Sequence, residues 1–245
     1  MKKISLISII IFLLFTSLIG CTTTKEPKEK KVEKRNVHLV AVGDSLTVGL
    51  KGTNGGYVEL LEEKLNEQPG VQKVTVDNYA IVGNRTEQLM NRLEEKEVQI
   101  SIKNANFIVL TIGGNDMMKT VRKNILSLKM KDFDKAKREY DHQLHLIFKK
   151  LRSLNKKAPI YYIGLYNPFE KTLSEVPEIG TIIESYNEVA KSATKDYDNI
   201  RYVSVFDDFS NSKEAVVSED DQFHPNDNGY EIVADAVWKE MKKDF

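Results

Sequence analysis

Short apolar runs alternate with longer amphipathic stretches from Val37 to the end of the chain. The apolar runs predict five strands, at 37–42, 74–76, 107–112, 160–165 and 201–206. In the stretches between them apolar residues recur every three or four positions, which predicts helices at 57–66, 87–97, 179–195 and 226–243, and two more within 116–155, the second at 133–154. Thr86 is a suitable N-cap for the helix at 87–97.

Repeated strand-then-helix units with continuously apolar strands indicate a parallel sheet that is covered by helices on both faces. Right-handed crossovers restrict the topology, and the order 2-1-3-4-5 is the common solution for five strands. We therefore predict an α/β fold with three α/β/α layers. In that order ligands bind beyond the carboxyl ends of strands one and three. Ser45, Gly83 and Asn115 follow strands one, two and three, so we expect them at one edge of the sheet.

The N-terminal segment 1–20 has the pattern of a secretory signal peptide. Lys2 and Lys3 form a basic start, and the apolar run 4–19 follows. A retained transmembrane anchor is the alternative, but that run is shorter than the roughly 20 apolar residues that cross a bilayer. Residues 22–36 are polar and charged, which predicts a flexible tether and leaves 37–245 as the folded domain.

The apolar run ends in Leu18-Ile19-Gly20-Cys21, which resembles a bacterial lipobox. That resemblance implies that Cys21 is lipidated and becomes the mature N-terminus, since two or more acyl chains give stable anchoring. A chance cysteine near a cleavage site is the alternative. We expect a protein anchored by lipid on the extracytoplasmic face of the cell membrane.

Composition narrows the function classes further. The 245 residues are 41% hydrophobic, which suits one sizeable domain. The 36 basic and 36 acidic residues cancel, and 28 basic against 33 acidic residues remain in 37–245, so we expect no nucleic-acid partner. A single cysteine excludes an internal disulfide and leaves none for a metal or redox site in the domain. We expect a monomer.

Ser45 lies where the first predicted strand stops, in Gly43-Asp44-Ser45-Leu46. A helix cap or a turn residue is as good an interpretation as a nucleophile at this stage. The segment is not a Gly-x-Ser-x-Gly elbow because position 47 is Thr, and it is neither a Walker loop nor a Gly-x-Gly-x-x-Gly turn. Asp44 is expected to brace the loop through backbone hydrogen bonds rather than to take part in chemistry.

His224 differs from the other three histidines by its neighbours, with Asp221 three residues earlier in the chain. One turn can hold a carboxylate against one ring nitrogen and leave the other nitrogen free to accept a serine proton. The alternatives are a helix-start Asp beside a turn His, or Asp220 as the partner. Asn115 and Gly83 are candidate donors to a developing oxyanion, although turn glycines and helix capping are commoner uses of such residues.

These residues carry a family resemblance. Gly43-Asp44-Ser45-Leu46, Gly83 in its loop, Gly113-x-Asn115-Asp116 and Asp221-x-x-His224 resemble, in order and spacing, the four blocks of the SGNH (GDSL-type) hydrolases. The resemblance spans 37–245 and looks closest to bacterial lipoproteins of that family, often described only as lipases or esterases. One departure is Ala80, where many members have Gly.

The resemblance implies Ser45 as nucleophile, His224 as base and Asp221 as its orienter. It also implies an oxyanion hole made of the Ser45 and Gly83 N–H groups and the Asn115 side chain. The expected reaction is hydrolysis of a small-molecule, lipid or glycan ester through an acyl-serine, with no metal or organic cofactor. Two alternatives stay open: acetyl transfer to, or removal from, cell-wall glycan, and a non-catalytic binding lipoprotein on the same fold.

Two segments could shape the choice of substrate, 117–157 after strand three and 165–180 after strand four. In the second, Tyr166 and Phe169 could line an acyl pocket, and ordinary loop packing is an equally good interpretation.

Overall fold

The computed structural model describes residues 34–124 and 129–245. The predicted signal peptide, Cys21 and the tether up to residue 33 lie outside the described residues. Within the described ranges, no helix combines the length and the apolar character needed to cross a membrane.

The described part of the chain forms one parallel sheet of five strands in the order β2-β1-β3-β4-β5. The strands are β1 Arg35–Gly43, β2 Val71–Asn78, β3 Phe107–Thr111, β4 Ile160–Ile163 and β5 Ile200–Val203. All five residues of the central strand β3 are buried, because helices cover both faces. The predicted fold class and strand order are confirmed.

Helices in the described ranges are α1 Ser45–Val48, α2 Tyr57–Asn66, α3 Thr86–Arg92, α4 Lys96–Asn104, α5 Gly114–Asn124, α6 Met130–Leu154, α7 Glu178–Thr194, α8 Phe206–Ser210 and α9 Asp227–Met241, followed by a 3-10 turn at Lys242–Asp244. Helices α3 to α7 contribute to the core on one face of the sheet, and α1, α2, α8 and α9 contribute to the other. Alternate β1 residues enter the two cores, Val40 and Val42 one of them, Leu39 and Ala41 the other.

The first strand is longer than its apolar run predicts. Arg35 and Asn36, assigned to the tether from sequence, pair with Val71 and Lys73 of β2. Strand pairing uses backbone groups, so it continues beyond the apolar side chains. The Arg35 guanidinium also lies 4.8 Å from the centroid of the Phe245 ring, which gives this charged residue a packing partner.

The predicted helix at 87–97 is wrong in two respects. It is two helices, because the chain turns after Arg92 and starts again at Lys96, which buries Val98 on the same core as Leu93. Thr86 is not the N-cap: Arg85 holds that position, and its backbone N–H donates to the Gln88 side chain. The last strands are also shorter than predicted, and Phe206 begins α8 instead of ending β5.

Candidate active site

Ser45 lies at the carboxyl end of β1, as the first residue of α1. The strand ends at Gly43, whose φ of +147° and close approach to the Thr111 carbonyl oxygen, 2.2 Å from the position of a Cβ, exclude a larger residue. Asp44 is the N-cap, accepting the Leu46 N–H at 3.1 Å, so the capping alternative for Ser45 is wrong. Ser45 is left free for another role.

Asp44 fixes this turn to the core. Its Oδ1 accepts the Leu46 N–H and, at 2.8 Å, the Thr111 hydroxyl, which confirms a bracing role with a side-chain bond in addition to the expected backbone bond. Thr111 is 2.6 Å from Thr47, and Thr47 is 2.7 Å from the Tyr57 hydroxyl. Because the Thr111 proton goes to the carboxylate, the chain of donors runs from Tyr57 through both threonines to Asp44.

Burial raises the pKa of Asp44 from 3.8 to about 6, despite the hydrogen bonds from Thr111 and Leu46. The folded state therefore holds this proton more tightly than the unfolded chain. Protonated Asp44 therefore stabilises the folded state relative to ionised Asp44. This stabilisation is fully present below about pH 3.8 and is lost as the pH rises through about 6.

Asp44→Asn is expected to gain stability relative to the unmodified protein as the pH rises. Both hydrogen bonds use Oδ1, which the amide retains, and the amide carries no buried charge. We compare the free energy of unfolding of Asp44→Asn with that of the unmodified protein at each pH. Between about pH 4 and 7 this difference should shift by up to about 3 kcal/mol in favour of the variant. Urea unfolding of both proteins at each pH measures it, and a difference independent of pH would contradict it.

Asp221 and His224 meet as the sequence predicts. Asp221 Oδ1 accepts the backbone N–H groups of Phe223 and His224, each at 3.0 Å, and Oδ2 lies 2.8 Å from His224 Nδ1. Burial alone would raise the pKa of Asp221, but the hydrogen bonds from the ring and the backbone outweigh it and hold that pKa below its ordinary value. The carboxylate is therefore ionised beside the ring. Asp220 instead bonds Lys51 Nζ at 2.9 Å.

The other ring nitrogen, His224 Nε2, lies 2.8 Å from Ser45 Oγ across 179 residues of sequence. The loop that carries His224 is fixed on both sides, by Tyr166, whose hydroxyl donates to the Phe223 carbonyl at 2.6 Å, and by the Ser218 N–H, which donates to the His224 carbonyl at 2.8 Å. Gln222, with a φ of +53°, adopts a strained turn two residues before His224. Hydrogen bonds therefore connect Asp221 to His224 and His224 to Ser45 in one continuous line.

The loop after β2 and the start of α5 are joined beside this line. The Asp116 carboxylate accepts the Thr86 hydroxyl at 2.6 Å and the Thr86 N–H at 3.1 Å. Asn115 Nδ2 donates one of its two hydrogens to the Asn84 carbonyl at 2.9 Å. Gly83 has a φ of +80° and an open side, with nothing within 4 Å of a Cβ position. Gly83 and Asn115 line one cleft, of about 420 Å³, together with Ser45 and His224.

The residue that departs from the family pattern, Ala80, lies in this same loop. Its N–H donates to Asn78 Oδ1 at 3.1 Å, and Asn78 Nδ2 donates to the Thr47 carbonyl at 2.8 Å. The turn thus forms through backbone and Asn78 groups that do not require glycine at position 80.

The structure also holds a Ser, His and Asp cluster that sequence reasoning missed. Ser101 Oγ donates to Asp77 Oδ2 at 2.6 Å, and that same oxygen lies 2.9 Å from His38 Nε2. The Asp77 carboxylate and the Ser101 hydroxyl both lie beside the same ring nitrogen of His38, Nε2, which is 3.4 Å from Ser101 Oγ. The imidazole therefore does not stand between the carboxylate and the hydroxyl. Ser101 is also only 5% exposed. No local motif links these residues in sequence, and the arrangement is unlike the line that ends at Ser45.

A second, smaller cavity of about 50 Å³ adjoins Ser45 and His224. Its apolar lining includes Leu46, Ile112, Met117, Ile163, Leu165 and Tyr166. Tyr166 therefore lines a pocket beside the serine. Phe169 does not line it: its ring packs on Phe223 and lines a separate cavity of about 380 Å³.

No group of three or more His, Cys, Asp and Glu side chains within residues 34–124 and 129–245 is arranged to share a metal ion.

Comparison with known proteins gives consistent results. Residues 41–232 match the model of the GDSL-like Lipase/Acylhydrolase family. The chain is 37% identical over 239 residues to YpmR of Bacillus subtilis (strain 168), described as uncharacterized, covering 96% of this chain and 94% of that protein. It is 26% identical over 214 residues to the spore germination lipase LipC of Bacillus licheniformis, covering 82% of this chain and 94% of LipC.

Solved structures of other proteins share the fold at low sequence identity. The lipase Lip_vut3 from a goat rumen metagenome superimposes with a TM-score of 0.73 at 22% identity, covering 82% of this chain and 95% of that one. A catalytic mutant of Axe2, an acetylxylan esterase from Geobacillus stearothermophilus, superimposes with a TM-score of 0.65 at 21% identity, covering 86% and 95% respectively.

Proposed function

The chain belongs to the GDSL-like lipase/acylhydrolase family, and from that premise we propose that it is a serine esterase that hydrolyses carboxylic esters through an acyl-enzyme on Ser45. The observation that carries the proposal is the continuous hydrogen-bonded line from Asp221 through His224 to Ser45. A binding module does not need a serine hydroxyl, an imidazole and a carboxylate in this order.

In the proposed mechanism Ser45 Oγ attacks the ester carbonyl carbon while His224 Nε2 takes the hydroxyl proton. Asp221 accepts the Nδ1–H, which fixes the tautomer and stabilises the imidazolium. The C–O bond of the ester then breaks as His224 returns the proton to the leaving alcohol. Water, deprotonated by His224, then attacks the acyl carbon. The bond from that carbon to Ser45 Oγ breaks, His224 returns the proton to Oγ, and the acid leaves.

We assign stabilisation of the oxyanion to the N–H groups of Ser45 and Gly83 and to the second Nδ2 hydrogen of Asn115. The cleft that these residues share supports the assignment, as does the Asp116–Thr86 pair, which joins the two segments that carry Gly83 and Asn115. One such donor is typically worth about 2.7–4 kcal/mol of transition-state stabilisation.

Labelling with an alkyl fluorophosphonate, followed by mass spectrometry of the peptides, tests the proposal directly. We expect the probe on Ser45 and much slower labelling in His224→Ala, because the hydroxyl then has no base. Ser101 is an internal comparison, since it also lies near a His and an Asp. Absence of label on Ser45, or an undiminished rate in His224→Ala, would contradict the proposed mechanism.

The cavity of about 50 Å³ favours short acyl groups. At roughly 10–15 Å³ for each water-sized group, it holds about four such groups, which suits acetyl better than a fatty acyl chain. This observation also favours the second candidate function, acetyl removal from or transfer to glycan. We expect kcat/KM for p-nitrophenyl esters to be highest for acetyl to butyryl esters and at least about tenfold lower for octanoyl.

A pair of variants localises this limit on acyl length. Leu165→Ala enlarges the cavity and should move the preference to longer chains. Leu173→Ala shortens a side chain that lines the separate cavity of about 380 Å³. This variant should leave the preferred acyl length unchanged. A preference for octanoyl in the unmodified protein, or equal shifts in both variants, would contradict the role of the small cavity.

We further propose that the protein is held by lipid on Cys21 at the extracytoplasmic face of the membrane, a proposal supported by the sequence Leu18-Ile19-Gly20-Cys21. Cys21→Ala should move the protein from the membrane fraction to the soluble fraction with unchanged kcat, because residue 21 precedes the folded domain. Fractionation and esterase assay of both proteins measure this. Persistent membrane association of Cys21→Ala would favour an uncleaved helix instead.

A further inference from the structure

The cleft of about 420 Å³ beside Ser45 is basic. Arg85, Lys119 and Arg122 line it, and no Asp or Glu is among the described residues of its lining. This differs from the domain as a whole, because 37–245 contains 28 basic and 33 acidic residues. The lining of this cleft therefore has a local excess of positive charge that the domain as a whole does not have.

The three cations come from two separate elements. Arg85 is the residue before α3, whereas Lys119 and Arg122 are three residues apart on α5 and so lie on one of its faces. A basic residue in the last turn of a helix is favoured by the helix dipole, which accounts for Arg122 alone. It does not account for Lys119 in the middle of the helix or for Arg85 on another segment. All three side chains line the cleft, and two of them, Arg85 and Lys119, also line a neighbouring cavity of about 620 Å³ whose lining includes acidic residues.

These cations also lack the direct ion pairs that other cations of the protein form, although Arg85 interacts electrostatically with the Asp116 carboxylate. Lys51 pairs with Asp220, and Arg201 pairs with Asp244. In the described part of the chain no carboxylate oxygen forms an ion pair with the side chains of Arg85, Lys119 or Arg122. Unpaired cations that converge on a concave surface create a field that attracts anions.

We propose that this cleft binds an anionic group of the substrate, so that the preferred ester carries a phosphate or a carboxylate beside the group that Ser45 cleaves. The inference rests on the proposed esterase function. Arginine suits both anions because its planar fork can bond two oxygens at once. Val82, 52% exposed on the same cleft, offers apolar contact to the uncharged part of the substrate.

The test compares neutral esters with counterparts that carry an anionic group away from the ester bond. One pair is glycerol monoacetate and its phosphorylated counterpart, and the other is acetoxybutanamide and acetoxybutanoate. Each exposed cation contributes roughly a two- to fivefold preference, so kcat/KM should favour the anionic ester by about tenfold or more at low salt. The ratio should fall towards one in concentrated NaCl, since Lys119 and Arg122 are exposed to solvent and Arg85 is only partly buried. The arm with the larger ratio identifies the preferred anion.

Two triple variants separate the cleft from the overall charge. The cleft triple variant is Arg85→Gln, Lys119→Gln and Arg122→Gln. The control triple variant removes the same number of charges from exposed positions outside the cleft, Lys73→Gln, Lys103→Gln and Lys239→Gln. The anionic-to-neutral ratio should fall to about one in the cleft triple variant and should persist in the control.

Three results would overturn the inference, and they are distinguishable. Equal hydrolysis of both esters by the unmodified protein shows that it is an esterase without an anion site. An equal loss of the ratio in both triple variants shows an effect of net charge and not of the cleft. If neither ester is hydrolysed and the fluorophosphonate does not label Ser45, the proposed function itself is wrong, and the inference falls with it.

Discussion

Ser45→Ala is expected to lower kcat for ester hydrolysis by roughly four to six orders of magnitude, because the acyl-enzyme then has no nucleophile. The fold should remain intact. Asp44, not Ser45, caps α1, and the hydroxyl chain that braces the turn ends on Asp44. Turnover of p-nitrophenyl acetate measures kcat, and thermal unfolding measures the stability of the variant.

Ser101→Ala is the matched control for that experiment. Ser101 also lies near a histidine and an aspartate, but its hydroxyl donates to Asp77 and it is almost fully buried. Its kcat should equal that of the unmodified protein. Retention of more than about 1% of activity in Ser45→Ala, with no contaminating esterase, would eliminate Ser45 as the nucleophile.

Asp221→Asn is expected to lower kcat by about 10⁴ while the loop keeps its shape. The amide oxygen can replace Oδ1, which accepts the backbone N–H groups of Phe223 and His224. The amide nitrogen then faces His224 Nδ1 as a donor, so the ring carries its proton on Nε2 and cannot take the Ser45 proton. A large loss of kcat with a nearly unchanged melting temperature is the expected combination.

Asp220→Asn provides the control, since Asp220 is adjacent in sequence and bonds Lys51 at the surface. Its kcat should be unchanged. If Asp220→Asn and Asp221→Asn lost activity equally, the orienting role would not belong to Asp221. If Asp221→Asn lost activity only together with its folded structure, the tautomer argument would fail.

The sheet was predictable mainly because β3, β4 and most of β1 are buried on both faces, which makes them continuous apolar runs. The edge strand β2 is only partly buried, so its apolar run, 74–76, predicted it too short. The strand order then followed from crossover handedness, and the order placed the loops after strands one, two and three at one edge. That is why the sequence alone groups Ser45, Gly83 and Asn115 at one place. The Asp221–His224 spacing was also local, three residues within one turn.

Features decided by distant contacts were not predictable. The sequence predicts Thr86 as an N-cap, but its hydroxyl donates a hydrogen bond to Asp116, which lies 30 residues later in the chain. Spacing alone could not rank Asp220 and Asp221. In the structure Asp221 faces His224 Nδ1, whereas Asp220 bonds Lys51, which lies 169 residues earlier in the chain. The basic cleft also needs the fold, since Arg85 and α5 are brought together only by neighbouring strand-end loops.

The donor chain from Tyr57 to Asp44 restricts which residues can replace its two threonines. Thr47 and Thr111 each accept one hydrogen bond and donate another, in a buried position. Serine can do the same at either site, whereas valine, which has nearly the same shape, breaks the chain and leaves a buried polar group without its partner. Divergence at these two positions is therefore limited by hydroxyl chemistry and not by volume.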